Sequence, residues 1–92
     1  DDVWLSPAND RPTVTISVHV AVGDDDEPLF RACEAIFRTF GGRPHWGKVH
    51  YLTGTELAGD YPHWDDWWGV RDSHDPDGIF LNEHLRSLQR SA

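Results

Sequence analysis

A stretch of alternating side chains, residues 13–22, constrains the fold of this sequence more than any other feature. Aliphatic residues occupy its even positions and polar or small residues its odd positions. A period of two puts the aliphatic side chains on one face of a β-strand. A lone strand leaves unpaired N–H and C=O groups along its edges. We therefore expect this strand to belong to a larger sheet built partly from sequence outside this chain.

The residues after this strand predict an amphipathic helix from about residue 27 to residue 40. An acidic run at 24–27 suits a helix N-terminus, and Pro28 is tolerated in the first turn. Gly41-Gly42 ends the helix. Its apolar stripe recurs at steps of three and four residues: Leu29, Phe30, Ala32, Cys33, Ile36, Phe37 and Phe40. On this pattern Cys33 is a packed hydrophobic residue rather than a reactive thiol.

The second half of the chain predicts one more strand and three shorter helices. Residues 45–52 form the strand, in which Gly47 marks a bulge or a close backbone approach to a ligand. The Thr53-x-x-Glu56 spacing is typical of a capping box for a short helix over residues 56–58. A further helix runs from Pro62 to about residue 71, and Asn82 is placed to cap the last one. Two strands and about four helices predict a fragment of an α+β domain.

Three tryptophans, Trp64, Trp67 and Trp68, share one face of the helix that follows Pro62. This spacing favours a helix face packed on neighbouring structure. The alternative is a platform on which a carbohydrate ring stacks.

Composition narrows the classes of partner. Sixteen acidic and eight basic side chains give a formal charge of −8, which disfavours nucleic acid and anionic membranes. The sequence has no apolar run long enough to span a bilayer, and one cysteine cannot form an internal disulfide. We expect a soluble, reducing and cytoplasmic setting. Because the chain lacks methionine and begins Asp1-Asp2-Val3-Trp4, we also expect it to be a piece of a longer protein.

Metal binding is disfavoured at the two places where the sequence suggests it. Asp75-Pro76-Asp77-Gly78 echoes part of a calcium loop, but Pro76 interrupts it and its twelfth position is a histidine. The six histidines are scattered without the spacing of a zinc site. We expect no metal ligands.

Two motifs carry a resemblance to a known family. They are His45-Trp46-Gly47-Lys48, which follows Gly41-Gly42-Arg43-Pro44, and Asp75-Pro76-Asp77-Gly78-Ile79-Phe80-Leu81-Asn82. Together they resemble the C-terminal part of the FAD-dependent D-arabinono-1,4-lactone oxidase, L-gulonolactone oxidase and alditol oxidase family, which are flavoproteins of the vanillyl-alcohol-oxidase type. The resemblance implies that residues 1–92 form part of a substrate (cap) domain with an antiparallel sheet. The FAD-binding domain would lie outside this chain.

The resemblance also implies the reaction and its residues. The intact enzyme would transfer a hydride from a sugar alcohol or aldonolactone to FAD, with O2 as the expected acceptor. Lys48 matches the lysine that contacts substrate in these oxidases, and we expect it to be catalytic. Ser17 and His19 on the first strand would line the substrate pocket, and His45 and Trp46 would contact the flavin.

Three points stay open at this stage. A regular strand puts His45 and Lys48 on opposite faces, so they share one site only if Gly47 breaks the alternation or they reach different sides of the cofactor. The second motif favours a structural role, in which its turn residues redirect the chain and Phe80 anchors it; the alternative is a contact with the flavin. The competing interpretations are a small acidic module that binds carbohydrate or protein without catalysis, and a subunit of a split flavoenzyme.

Overall fold

The computed structural model describes residues 1–89, in which four helices are joined by long irregular segments. The helices are α1 (Glu27–Thr39), α2 (Gly54–Ala58), α3 (Trp64–His74) and α4 (Glu83–Leu88). No β-strand occurs in this part of the chain. The prediction of four helices is thus confirmed. The prediction of an α+β fragment with two strands and an antiparallel sheet is wrong.

The alternating segment 13–22 forms no strand, although its pattern is regular. None of residues 12–20 makes a backbone–backbone hydrogen bond with another residue of the described range. Val14, Ile16 and Val22 are all exposed. The reason is that alternation favours an extended chain, whereas a strand also needs a second strand beside it. Residues 1–89 do not supply one.

Helix α1 has the bounds that the sequence predicts, but it buries none of its residues. It ends at the expected glycines: Gly41 adopts a φ of 70°, and the Gly42 N–H donates to the Phe37 carbonyl at 2.8 Å. The predicted core position of its apolar stripe is wrong for the described residues, because Leu29, Ile36 and Phe40 are exposed. Cys33 is half-buried.

Polar contacts, rather than apolar packing, attach α1 to the rest of the chain. Arg38 forms an ion pair with Asp60. The Tyr51 N–H donates to Glu34 Oε2 at 2.9 Å, and the Arg31 guanidinium lies 4.0 Å from the centre of the Tyr51 ring. Such partly exposed pairs stabilise modestly. Helix α1 is therefore fixed at its polar face, while its apolar face is only partly covered: Phe30, Cys33 and Phe37 are half-buried.

The core lies among α2, α3 and α4. Six residues are buried in one cluster, Leu5, Leu57, Tyr61, Trp64, Trp68 and Leu88. Helices α2 and α4 can touch because α2 begins at a glycine: a Cβ at Gly54 would stand 2.1 Å from the Leu88 carbonyl oxygen. The radius of gyration is 14.5 Å, compared with about 12 Å for a compact chain of this length. The core is thus small relative to the chain.

Local signals in the second half are confirmed. The Glu56 carboxylate accepts the Thr53 N–H at 2.7 Å, and Asn82 Oδ1 accepts the Leu85 N–H at 2.8 Å at the start of α4. Trp64 and Trp68 are buried, which confirms packing rather than a stacking platform for carbohydrate. None of the helices in residues 1–89 has the length and apolarity needed to cross a membrane.

Candidate functional site

The tetrapeptide His45-Trp46-Gly47-Lys48 forms a β-turn. The Lys48 N–H donates to the His45 carbonyl at 2.9 Å, which is the hydrogen bond that closes such a turn and brings its first and last Cα atoms within about 7 Å. The prediction of a strand over residues 45–52 is therefore wrong, because a local hydrogen bond folds the chain back at its start. The turn also removes the strict alternation that would separate His45 from Lys48.

The imidazole of His45 is held by the backbone of its own turn. The Gly47 N–H donates to His45 Nδ1 at 3.2 Å. An acceptor at Nδ1 assigns the proton of the neutral ring to Nε2. A Cβ at Gly47 would stand 3.3 Å from His45 Cε1, so glycine gives the ring room. At Gly47 the backbone closely approaches the His45 ring, whereas the predicted approach to a ligand stays a prediction. The predicted bulge does not occur, because no strand forms in residues 1–89. The exposed His45 ring offers a single N–H donor.

Lys48 stands at the end of the turn with its side chain exposed. It is the only lysine of the chain. Within residues 1–89 its ammonium forms no ion pair or hydrogen bond. An ammonium carries three donors on a flexible stem, so Lys48 can bind hydroxyl or carbonyl oxygens of a ligand.

Trp46 fixes the turn to two helices. Its half-buried ring packs edge-on against Trp67 of α3, with ring centroids 5.9 Å apart. Its carbonyl oxygen lies 3.2 Å from His50 Nε2 and 3.0 Å from His84 Nε2. The flavin contact predicted for Trp46 stays a prediction. The structure shows instead what holds Trp46 in place.

Sequence reasoning missed the parts played by His50 and His84. His50 follows Trp46 by four residues, so local spacing could have suggested it. His84 is 38 residues from Trp46, and no local pattern connects the two. Their convergence on one carbonyl is visible only in the tertiary structure.

Ser17 and His19, the predicted pocket residues, lie on the exposed irregular segment. Within the described range, no hydrogen bond, ion pair or ring contact links either residue to the turn. Their role in substrate binding stays a prediction.

Arg43 connects the segment just before the turn with the N-terminal loop. Its guanidinium donates to the Asn9 carbonyl at 2.8 Å and lies 4.8 Å from the centre of the Tyr61 ring. Burial lowers the pKa of Arg43, and the positive charge of the nearby Arg11 lowers it further. Burial raises the pKa of the Tyr61 hydroxyl. Arginine nevertheless stays charged at neutral pH. Arg43 is therefore a structural cation that links the N-terminal loop to Tyr61.

Asp75, rather than Phe80, organises the second motif. Its carboxylate accepts the N–H groups of Ile79 at 2.8 Å and Phe80 at 3.0 Å, and it pairs with Arg71. Gly78 turns the chain with a φ of 68°. Desolvation acts to raise the pKa of Asp75, but the Phe80 and Ile79 donors and Arg71 together hold it below its ordinary value. The Phe80 side chain is 79% exposed, so the prediction that it anchors the loop is wrong for these residues.

A metal centre is not among the features of residues 1–89. No group of three or more His, Cys, Asp or Glu side chains is arranged to hold an ion there. The groups of the turn that can bind a ligand directly are the Lys48 ammonium and the His45 Nε2–H.

Comparison with known proteins identifies the family that the chain resembles. The profile of the D-arabinono-1,4-lactone oxidase family matches residues 1–88. The L-gulono-1,4-lactone dehydrogenase of Mycobacterium tuberculosis is 49% identical over 88 residues. The L-gulonolactone oxidase of Mus musculus is 36% identical over 92 residues, and the alditol oxidase of a Streptomyces species is 36% identical over 91 residues.

Each of these three matches covers 96% of this chain but only 21% of the relative. The chain thus spans about a fifth of the length of the curated relatives it matches. No solved structure matches it significantly.

Proposed function

Because the chain belongs to the D-arabinono-1,4-lactone oxidase family, we propose that it is part of an FAD-linked oxidoreductase that oxidises a sugar alcohol or an aldonolactone. The family match carries the class of reaction. The observation that carries the site is the turn at residues 45–48, which exposes an ammonium and an imidazole N–H. Relatives named for lactones and for alditols support polyhydroxylated substrates.

Lys48 is the residue that we assign to the substrate. Its donors suit the hydroxyl and carbonyl oxygens of a polyol or lactone. As a substrate hydroxyl loses its proton, negative charge develops on the oxygen, and a nearby ammonium stabilises that charge. In this proposal Ser17 and His19 add hydroxyl and imidazole groups to the substrate pocket, and parts of the enzyme outside residues 1–92 bring them to the turn.

His45 and Trp46 are assigned to the cofactor. The exposed Nε2–H of His45 suits the carbonyl and ring-nitrogen acceptors of a flavin, which is the feature of these residues that fits FAD. Trp46 would border the flavin from the same turn while its ring rests on Trp67. Bound FAD would supply a hydride acceptor for the substrate carbon, with O2 as the expected final electron acceptor. The domain that binds the rest of FAD lies, in this proposal, outside residues 1–92.

The test is a graft of this chain into the M. tuberculosis relative, in place of the segment that it matches. Flavin content and L-gulono-1,4-lactone oxidation are measured for the graft and for its Lys48→Ala variant. We expect the graft to retain flavin and activity, and Lys48→Ala to lower kcat by about 10²-fold, as loss of one donor to a developing charge does. Arg31→Ala removes a cation of α1 that pairs with Glu27 and lies over the Tyr51 ring. Neither partner belongs to the turn, so this variant should leave kcat unchanged.

Two results would contradict the proposal. A graft that holds no flavin and oxidises no lactone would reject the assignment to this class of enzyme. An active graft in which Lys48→Ala behaves like Arg31→Ala would reject the site.

A further inference from the structure

The carbonyl oxygen of Trp46 receives two imidazoles at once. His50 Nε2 lies 3.2 Å away and His84 Nε2 lies 3.0 Å away, and the two rings meet edge-on with centroids 5.9 Å apart. A carbonyl oxygen has two lone pairs and can accept both donors. The polar contacts of this carbonyl are therefore fully used by two histidines.

The proton positions follow from the same contacts. The Leu52 N–H donates to His50 Nδ1 at 3.1 Å, so the neutral His50 ring carries its proton on Nε2. A carbonyl cannot donate, so His84 must also donate from Nε2. Both rings are thus assigned as Nε2–H donors to one acceptor.

These donors connect the turn to the core. His84 belongs to α4, and α4 is held by Leu88, which is 1% exposed in the cluster among the helices. The Trp46 ring meanwhile rests on Trp67 of α3. Trp46 is therefore held through its ring by one helix and through its carbonyl by another. Lys48 follows two residues later, inside the turn that Trp46 belongs to.

We propose that His50 and His84 are positioning residues that clamp the Trp46 carbonyl and thereby fix the turn that presents Lys48. The proposal deepens the function above and rests on the assignment of Lys48 to the substrate. A displacement of about 1 Å at a reacting group can cost about 10²-fold in rate. The clamp therefore affects the reaction rate through the position of Lys48, in addition to the stability that its two hydrogen bonds contribute.

The first test reads the turn without any enzyme activity. Lys48 is the only lysine, so labelling the 92-residue chain with ¹⁵N-lysine gives one backbone amide signal, from the N–H that closes the turn. His84→Phe keeps a ring but removes the donor, and should speed hydrogen exchange of this amide by about 2- to 10-fold, the range of one net hydrogen bond. His84→Gln keeps an N–H at the ε position and should restore the slow rate. His74→Phe, at an exposed histidine of α3, should leave the rate unchanged.

A parallel pair tests His50. His50→Gln keeps a donor at the ε position, whereas His50→Asn keeps an acceptor for the Leu52 N–H and loses the donor to Trp46. We expect fast exchange of the Lys48 amide in the Asn variant and slower exchange in the Gln variant. Unchanged exchange in both His84→Phe and His50→Asn would overturn the clamp.

The second test separates positioning from stability in the grafted enzyme. His84→Phe should lower kcat/KM by about tenfold or more, and His84→Gln should recover it. In a Lys48→Ala background, His84→Phe should add no further loss, because a positioning residue acts through Lys48. An equal loss in both backgrounds would show a purely structural role and overturn the proposal. If the graft itself is inactive, the proposed function fails, and hydrogen exchange still decides whether the clamp exists.

Discussion

Replacing Gly54 with alanine tests the contact on which the small core depends. A Cβ at this position would stand 2.1 Å from the Leu88 carbonyl oxygen and 2.5 Å from that of Gln89. Both are backbone atoms, so relief requires α4 to move away from α2 by about 1 Å or more. Overpacking of this kind costs about 1–3 kcal/mol. Partial exposure of the Leu88 side chain, which is worth about 1.5–3 kcal/mol when fully buried, adds to it.

We therefore expect Gly54→Ala to lower the free energy of unfolding by about 2–4 kcal/mol. The free energy of unfolding of a whole protein is only about 5–15 kcal/mol, so this loss would be a large share of it. The assay is urea denaturation followed by tryptophan fluorescence, since Trp64 and Trp68 are buried in the same core and report its opening. The change in stability is read from the shift in the urea midpoint between variant and wild type at a fixed slope.

Gly69→Ala is the matched control. Gly69 also lies in a helix, α3, but nothing stands within 4 Å of a Cβ built there. Alanine is the better helix former by about 1 kcal/mol, so this variant should be as stable as wild type or more so. If both variants shift the midpoint in the same direction and by similar amounts, the close contact between α2 and α4 does not exist, and the reasoning is refuted.

Two further predictions concern the second motif. The carboxylate of Asp75 has a pKa held below its ordinary value of 3.8, so it stabilises the fold above that pH and the stabilisation is lost as pH falls through the lowered pKa. Asp75→Asn should therefore lower Tm at neutral pH, and its difference in Tm from wild type should close as the pH falls below about 3.8. Asp77→Asn removes a carboxylate of the same loop that forms no ion pair within residues 1–89 and should leave Tm at neutral pH unchanged. A difference from wild type that stays constant at all pH values would contradict this account. Asn82→Ala, which removes the acceptor for the Leu85 N–H, should cost about 0.5–2 kcal/mol in urea denaturation, and Asn82→Asp should cost little; equal losses would show that the cap contributes nothing.

The exposed apolar faces explain where sequence reasoning failed. The alternation at residues 13–22 and the stripe of α1 both specify which side chains share a face. Neither specifies what covers that face. Within residues 1–89 the α1 stripe is at most half-buried, and no strand pairs with the alternating segment. Burial and strand pairing are contacts between distant segments, so a local period cannot supply them.

The candidate site shows the same division at the level of single residues. The resemblance identified His45 and Lys48, but the strand predicted over residues 45–52 would have put them on opposite faces. One hydrogen bond from the Lys48 N–H to the His45 carbonyl makes a turn instead. His84 could not have been found by spacing, because only the packing of α4 brings it to the Trp46 carbonyl.

By itself, the sequence determined the four helices, their caps at Thr53 and Asn82, the glycine stop after α1 and the family resemblance. The helices, their caps and the glycine stop depend on hydrogen bonds and backbone preferences within a few residues of one another. The resemblance depends on the residues of two short motifs. Only the tertiary structure decided that no strand forms in residues 1–89, which residues Trp64 and Trp68 pack against, and that two histidines meet at Trp46. Those outcomes depend on which distant segments exclude water together, and local sequence does not encode that choice.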